Sequence, residues 1–447
     1  MMNPLELVAK TLHSFEEKEL TVNLLNAFGK RAETFEQYND VAKIFFEIKR
    51  FSEAITYGEK ALKYAKTKEG TYITSKNLIN AYNQNNYPEK AITQIGKIKS
   101  QNPQDTELLL EETFSYSALN QKDKSHKLLF NLLQKKLPEE IERKAYHNLS
   151  GYYFRRDDIN TGLKHFLKTG EVEAYKNVRK LDYEKWDGTV TPGRTVIIDN
   201  QCGAGDEVIH VRFMRHIEKL GMKPIWLTTR RDLQKVFNYN GFESVCKWDN
   251  PKFPKDSCWV YGLALPYYLN LTVEDLGTTP YLKPLPEKED QYSYLKEDKN
   301  YKIGLFWDSD SGFEQAHFRS IKDEKLFEIF SDTKASLYSL QLPNIQPPKG
   351  YNVKTFDIPE RNFEDTFSLV SQMDLVITSC TSIAHIAASQ GKEVCVFIPI
   401  MEYYVWTSSK EKSWWYGNNV HMFKQKKPRK WDEPLDEVRV FLNDKNI

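Results

Sequence analysis

A segment near the C-terminus combines a buried strand, a short polar turn and a helix that carries a histidine near its start. The strand covers residues 375–379, Thr381 and Ser382 form the turn, and His385 follows before the next strand at 394–399. In a parallel sheet, this order places the helix N-terminus at the carboxyl edge of the strands, where unpaired backbone N–H groups and the helix dipole favour a phosphate. Thr381 and His385 are four residues apart and share one helix face. The pattern therefore predicts a diphosphate site.

His385 and Arg319 are the candidate partners of this diphosphate. An imidazole that is protonated, or that donates an N–H group, would stabilise the negative charge that develops as a diphosphate departs. The alternative is a buried histidine bonded to a carbonyl group. Arg319 follows a glycine-containing loop after the strand at 301–307. Its permanent charge suits a phosphate, and the alternative is an arginine in a solvent-facing loop.

Length and composition narrow the class of protein. A chain of 447 residues is long enough for two or three domains. The 63 Lys and Arg residues nearly balance the 62 Asp and Glu residues, so a nucleic acid or membrane partner would have to bind a local patch. The five cysteines lack zinc-ligand spacing and indicate reduced thiols. No apolar run reaches the roughly 18 residues of a membrane span, and we expect a soluble, cytoplasmic protein.

Residues 1–180 are predicted to form a helical repeat, because apolar residues recur at helical spacing between polar clusters. Four aromatic residues recur at intervals of 37, 34 and 37, and a small residue follows each of them nine positions later. The pairs are Phe45 and Ala54, Tyr82 and Ala91, Tyr116 and Ser125, and Tyr153 and Gly162. The spacing resembles the tetratricopeptide repeat (TPR), with an irregular helical bundle as the alternative. Stacked helix pairs present a concave surface that suits a binding partner or a homodimer.

Beyond residue 190, predicted strands alternate with helices, which indicates parallel sheets. The predicted strands are 195–199, 224–229, 244–245, 301–307, 336–342, 353–356, 375–379 and 394–399. The fold class is therefore α + α/β. A TPR-like domain over 1–180 precedes two Rossmann-like lobes over 190–290 and 298–447. Because ligands bind at the carboxyl ends of such strands, we expect the functional turns of both lobes to face one cleft.

Three motifs, taken in order, resemble the GT-B glycosyltransferases. They are the run 203–207 (Gly-Ala-Gly-Asp-Glu), the group His317, Arg319 and Ser320, and the turn 381–385 (Thr-Ser-x-x-His). The resemblance covers residues 190–430 and is greatest to the heptosyltransferase-like family and to bacterial and phage glycosyltransferases that carry TPRs. It implies that the first lobe holds the acceptor and the second lobe holds a nucleotide-sugar donor.

The resemblance also implies a metal-independent, inverting transfer of a hexose or pentose from a nucleotide-diphosphate sugar to a hydroxyl group, with no cofactor. Asp206, after Gly205, matches the acidic residue of the Gly-x-Gly-Asp turn, which is proposed in the family as the general base. The alternative is that Asp206 caps a helix beginning at Glu207, and one carboxylate could do both. Because an ordinary aspartate pKa of about 3.9 makes a weak base, either desolvation in the cleft would have to raise this pKa or the proton transfer would have to come late.

Further residues are assigned to the donor or acceptor by their place in the predicted elements. Ser309 and Ser311 are candidates for contact with the donor's phosphates, and Gln341, at a strand end, is a candidate for its ribose or base. His210 is the candidate on the acceptor side, with a structural histidine as the alternative. An aromatic cluster could stack on a sugar or base, or could be core packing. Its members are Trp406, Trp414, Trp415 and Tyr416.

The acceptor has two candidate classes. The first is a protein or glycan that the repeats recognise. The second is a hydroxylated DNA base, and a phage-encoded enzyme would then act in the cytoplasm of the host. A basic run supplies the only dense patch for DNA phosphates, although such runs are usually solvated surface. It comprises Lys424, Lys426, Lys427, Arg429 and Lys430.

One departure from the family pattern motivates a rival function. Cys380 stands where many relatives carry an aspartate before the Thr-Ser pair, which leaves the donor sugar open. The rival is a TPR scaffold whose glycosyltransferase part is catalytically inactive. A nucleotide-binding oxidoreductase is a third alternative. It is disfavoured because the turn after Asp199 lacks the full GxGxxG spacing, and no acid for a ribose follows the second strand.

Overall fold

The computed structural model describes residues 4–14, 17–177, 182–200, 203–277, 280–308, 316–321, 324–341, 345–356, 358, 361–408 and 413–447. It divides into two compact units, one built mainly from residues up to Ala145 and one mainly from Tyr146 onward. No helix among these residues combines the length and apolar character needed to cross a bilayer.

The described residues up to 177 contain ten helices that form five successive hairpins. They are α1 (Pro4–Ser14), α2 (Lys18–Arg31), α3 (Phe35–Glu47), α4 (Phe51–Tyr64), α5 (Lys68–Gln84), α6 (Pro88–Ile98), α7 (Thr106–Ala118), α8 (Lys122–Leu133), α9 (Glu139–Phe154) and α10 (Ile159–Asn177). In the last four hairpins, the aromatic residue of each predicted pair lies on the first helix and the small residue on the second. The helical-repeat prediction is therefore confirmed.

Residues with left-handed backbone conformation recur in the hairpin turns with the same period. One residue with φ between 57° and 60° occurs in each of four turns, at the intervals of 37, 34 and 37 that separate the aromatic residues. These residues are Lys49, Asn86, Asn120 and Asp157. Left-handed backbone is uncommon for residues with a side chain, and asparagine and aspartate adopt it most readily. The recurrence marks four copies of one helix–turn–helix unit.

The fifth hairpin, α9 and α10, differs from the prediction in one detail. A Cβ atom at Gly162 would lie 2.4 Å from the ring of Phe154, so the ring that presses on this glycine belongs to the residue after Tyr153. Tyr153 is half-buried and stacks on His165. The second compact unit begins at Tyr146, inside this hairpin, and Phe154 packs against Trp414 of the α/β part. The limit of the repeat domain near residue 180 stays a prediction.

The second unit contains two parallel sheets. The first has the order β1-β5-β2-β3-β4 and the second has the order β11-β10-β9-β6-β7-β8. The strands are β1 (Glu184–Lys185), β2 (Thr195–Asp199), β3 (Lys223–Thr228), β4 (Ser244–Cys246), β5 (Cys258–Tyr261), β6 (Lys302–Phe306), β7 (Ser336–Ser339), β8 (Val353–Lys354), β9 (Leu375–Ser379), β10 (Glu393–Ile398) and β11 (Val420–Lys424). Two Rossmann-like lobes were predicted, and this fold class is confirmed.

Helices connect and cover these strands. They are α11 (Ala204–His210), α12 (Met214–Lys219), α13 (Arg231–Tyr239), α14 (Leu265–Tyr268), α15 (Val273–Leu276), α16 (Pro286–Gln291), α17 (Ala316–Arg319), α18 (Lys325–Glu328), α19 (Phe363–Ser371), α20 (Ser382–Ser389) and α21 (Asp432–Asp444). The central strands β2 and β9 are wholly buried, which explains their continuous apolar sequences. Each is followed directly by a helix of interest, α11 after β2 and α20 after β9.

Candidate functional site

The N-terminal turns of α11 and α20 lie against each other, and Gly205 makes this approach possible. A Cβ atom at Gly205 would lie 2.7 Å from Cδ2 of His385 and 3.3 Å from Cα of Ser382. Real Cβ atoms essentially never come as close as the first of these distances. The predicted glycine turn and the predicted diphosphate turn are therefore side by side.

The predicted diphosphate site is the start of α20. Thr381 is the N-cap residue, in extended conformation, and its side chain makes no capping bond to the helix. The first N–H groups of an α-helix lack intrahelical partners, so they can bind an anion. Thr381 and Ser382 are half-buried, which leaves both hydroxyl-bearing residues in partial contact with solvent.

Arg319 lies at the same turn. Its Nη1 atom donates to the carbonyl oxygen of Cys380 at 2.8 Å, directly before Thr381. Its positive charge also favours the ionised form of Asp206 and so acts to lower the pKa of that carboxyl group. The half-buried guanidinium thus interacts both with the turn before α20 and with the candidate base. Cys380 itself is buried, and its burial raises the pKa of the thiol.

His385 is buried in a polar and aromatic cage. Its Nδ1 atom is 2.7 Å from the hydroxyl oxygen of Tyr416, and its ring stacks on Trp406 with centroids 4.9 Å apart. Burial lowers the pKa of His385 to about 3, so the imidazole is neutral. Of the two states expected from the sequence, the protonated one is therefore disfavoured. The edge of the His385 ring faces Gly205, which fits a histidine that holds the starts of α11 and α20 in place. A direct catalytic role of His385 stays a prediction.

Asp206 occupies the first turn of α11, which begins at Ala204 and not at Glu207 as expected. Its Oδ1 atom accepts a hydrogen bond of 2.9 Å from the hydroxyl of Tyr403, and the carboxylate also accepts from the backbone N–H of Gly203. It is 9% exposed, and burial raises its pKa to about 6, against the opposing effect of these bonds. The carboxylate thus binds the N-cap residue and has the raised pKa that a base would need.

Two further candidates are engaged inside the protein. His210 is fully buried, with Nδ1 2.8 Å from the carbonyl oxygen of Asp206 and Nε2 3.0 Å from the hydroxyl of Tyr404. These bonds fit the structural alternative, and the acceptor-side role of His210 stays a prediction. Gln341 is buried and accepts from the backbone N–H groups of Trp307 and Asp308, both at 3.1 Å. It ties the end of β6 to β7, and its contact with a donor stays a prediction.

The remaining predicted groups separate into three sets. Ser309 and Ser311 lie outside the described residues. The aromatic cluster is core packing, because Trp406, Trp414, Trp415 and Tyr416 are each at most 8% exposed. Three members of the basic run form ion pairs, as Lys424 pairs with Glu402, Lys426 with Glu433 and Arg429 with Glu89. These ion pairs weaken the interpretation of this run as a DNA-binding patch. The described residues contain no group of three or more His, Cys, Asp or Glu placed to hold a metal.

Tyr403 and Glu207 are residues of this region that sequence reasoning missed. Tyr403 is 197 positions from Asp206, and no spacing signal links the two. Glu207 is fully buried, accepts a bond of 3.0 Å from Nε1 of Trp226 and forms an ion pair with Arg230. The position of Glu207 after a glycine turn does not predict that its carboxylate is buried.

The sequence matches no protein-family model and no curated protein. Among solved structures, it is similar to a glycosyl transferase family 9 protein from Veillonella parvula, with 12% identity, a TM-score of 0.39 and coverage of 59% of this chain and 92% of that one. It is also similar to E. coli heptosyltransferase WaaC with ADP, with 10% identity, a TM-score of 0.38 and coverage of 56% of this chain and 99% of that one. The Thermobaculum terrenum O-GlcNAc transferase has 10% identity, a TM-score of 0.32 and coverage of 99% of this chain and 91% of its own. At these identities and TM-scores, the likeness carries no argument about this chain.

Proposed function

We propose that this chain is a metal-independent, inverting glycosyltransferase that moves a sugar from a nucleotide-diphosphate donor to a hydroxyl group of an acceptor. One observation carries the proposal. Asp206, a buried carboxylate with a pKa raised to about 6, lies on the helix whose first turn contacts the start of α20. A base for a hydroxyl group and a binding site for a diphosphate are thereby neighbours.

The proposed step needs one proton acceptor and one anion site. The acceptor oxygen attacks the anomeric carbon from the face opposite the leaving group, and the bond between that carbon and the diphosphate oxygen breaks. Asp206 takes the hydroxyl proton, and the nucleotide diphosphate leaves with the electron pair of the broken bond. The N–H groups of α20 and the charge of Arg319 stabilise the diphosphate. These two positive contributions take the place of a metal ion in the proposal.

A donor titration tests this function against the scaffold alternative. A panel of nucleotide-diphosphate sugars, in the presence of a chelator, is screened by thermal unfolding and then by calorimetry. We expect one donor to bind, and a ligand at 100 times its Kd adds about 2.7 kcal/mol to the free energy of unfolding. Arg319→Gln should weaken that binding about tenfold or more, because it removes a charge at the anion site.

Lys426→Gln is the matched control, since it also removes one positive charge from the second unit but leaves the start of α20 unchanged. Failure of every nucleotide sugar and nucleotide diphosphate to bind would favour the scaffold and contradict the proposal.

Tyr403→Phe tests the role of Asp206 through the pH profile. The Tyr403 hydroxyl bonds to the carboxylate and lowers its pKa, so its removal should raise the pKa of Asp206 by about one unit from a value of about 6. Because the base acts in its ionised form, kcat/KM falls as pH drops through this pKa. We expect the acidic limb of the profile to move to higher pH while the plateau is largely retained. Tyr404→Phe, beside His210, serves as the control, and an unmoved limb in Tyr403→Phe would assign the titration to another group.

A further inference from the structure

Trp248 is exposed to solvent, unlike the other tryptophans of the chain. All nine tryptophans of the chain lie in the described ranges, and the others are buried or half-buried. Trp248 is 66% exposed, more than any other large hydrophobic residue that the structure describes. An indole ring kept in water at this level loses the burial energy that such a ring usually supplies. The ring is therefore accessible to a ligand.

A hydrogen bond at one edge of the indole ring of Trp248 holds the ring in place. Its Nε1–H group donates to the carbonyl oxygen of Thr229 at 3.1 Å, at the end of β3. The backbone around Trp248 forms a short 3₁₀ turn over Lys247–Asp249. A ring anchored in this way loses little conformational freedom when a flat ligand covers its face.

The position of Trp248 connects it with the proposed reaction. It follows β4, and the sheet order places β3 between β4 and β2, the strand that precedes Asp206. Neighbouring strands lie about 4.8 Å apart, so the ends of β4 and β2 are roughly 10 Å apart. Both ends belong to the carboxyl edge of the sheet, where ligands of such folds bind. Trp248 and the turn that leads to Asp206 therefore lie at the same edge of the sheet.

Charge at this edge is balanced, which selects between acceptor classes. Three cations each pair with a carboxylate: Arg231 binds Asp249 through two bonds of 2.7 and 3.1 Å, Lys247 lies 3.2 Å from Asp199, and Arg230 pairs with Glu207. A nucleic acid acceptor obtains its affinity from unneutralised Lys and Arg residues, and these pairs supply no excess of positive charge. A neutral acceptor meets no such requirement, and the Arg231–Asp249 pair, whose aspartate follows Trp248 in the chain, offers donors and acceptors for hydroxyl groups.

We propose that Trp248 is the stacking surface for the acceptor, and that the acceptor is a neutral saccharide whose ring lies with its C–H face on the indole. This inference rests on the proposed glycosyltransferase function. The apolar face of a sugar ring suits the electron-rich face of an indole, and its hydroxyl groups remain at the ring edge for polar partners. Of the acceptor classes predicted from the sequence, it selects the glycan.

The test measures both binding and transfer on the full chain. Unlabelled methyl glycosides and short neutral oligosaccharides are titrated while the indole N–H resonance of Trp248, assigned with Trp248→Phe, is followed by NMR. With the donor found by titration, initial rates are then measured across the same saccharides. We expect Trp248→Ala to raise the acceptor KM about tenfold or more, with the donor KM and slow donor hydrolysis unchanged. Trp248→Phe should retain most of the affinity.

Tyr239→Ala is the matched control, because Tyr239 is 51% exposed in the same lobe but lies at the end of α13, toward the opposite edge of the sheet. Transfer to a peptide or to DNA but to no saccharide would overturn this inference and leave the transferase proposal standing. An acceptor KM unchanged in Trp248→Ala would do the same. If no nucleotide sugar binds or is hydrolysed, both proposals fall together. A response of Trp248 that depends on protein concentration and not on saccharide would overturn the inference by showing that a second copy of the chain covers the ring.

Discussion

Asp206→Asn is expected to reduce sugar transfer about 10³-fold while the nucleotide donor still binds. General bases contribute typically 10²–10⁴-fold, and asparagine cannot accept the proton of an attacking hydroxyl group. The amide keeps the size of the carboxylate and can still accept the bond from Tyr403. The loss should therefore appear in kcat, and the donor Kd measured by calorimetry should change little.

The same variant should be more stable than the parent at neutral pH. The pKa of Asp206 is raised by burial to about 6 in the folded protein, above the ordinary value of 3.8. The unfolded chain therefore releases this proton at lower pH than the folded one does, and the native state loses stability as pH rises from about 4 to 6. Each pKa unit corresponds to about 1.4 kcal/mol, so removing the acid should add roughly 3 kcal/mol at pH 7.

This gain should vanish below about pH 4, where the carboxyl group is protonated in both states. Denaturant unfolding of the two proteins at pH 4 and pH 7 measures it, with Asp249→Asn, an exposed aspartate of the same lobe, as the control. A variant that retains full transfer activity would remove Asp206 from the mechanism. A variant that is inactive but equally destabilised at both pH values would indicate a structural role alone.

How far the sequence predicts this site depends on how local its signals are. The strand, polar turn and helix around Thr381 lie within 15 residues, and apolar runs bounded by Gly391 and polar residues locate them to within a residue or two. The carboxyl-edge rule then places their turn without knowledge of the tertiary structure. The spacing of aromatic and small residues predicts the helix pairs in the same way, because each repeat is a local unit.

The partners of the site are not local, and they were missed for that reason. Tyr403 reaches Asp206 across 197 positions and Tyr416 reaches His385 across 31, and neither tyrosine has a distinctive spacing. Burial depends on the whole fold as well, so a raised pKa for Asp206 could be stated as a requirement of the chemistry but could not be predicted. The strands β1 and β5 also escaped prediction. The final helix, α21, and the edge strand β11 follow polar segments that are typical of loops.

Gly205→Ala should disrupt both halves of the site at once. The new methyl group would lie 2.7 Å from Cδ2 of His385 and 3.3 Å from the backbone Cα of Ser382, so the starts of α11 and α20 must separate. His385 cannot swing aside cheaply, because its ring is stacked on Trp406 and bonded to Tyr416. Overpacking of this kind costs about 1–3 kcal/mol of stability, and a displacement near 1 Å can reduce a reaction about 10²-fold.

The signature that separates this variant from Asp206→Asn is the donor affinity, which should fall together with kcat because the anion site itself moves. Gly203→Ala is the control two positions earlier. A Cβ atom at Gly203 would make one ordinary contact, 3.5 Å from Oδ2 of Asp206, and its φ of −63° suits alanine, so we expect the cost of a poorer N-cap residue, about 1 kcal/mol, and retained activity. Equal effects of the two substitutions, measured by calorimetry with the donor and by initial rates, would mean that the glycine turn acts through backbone freedom and not through the contact of α11 with α20.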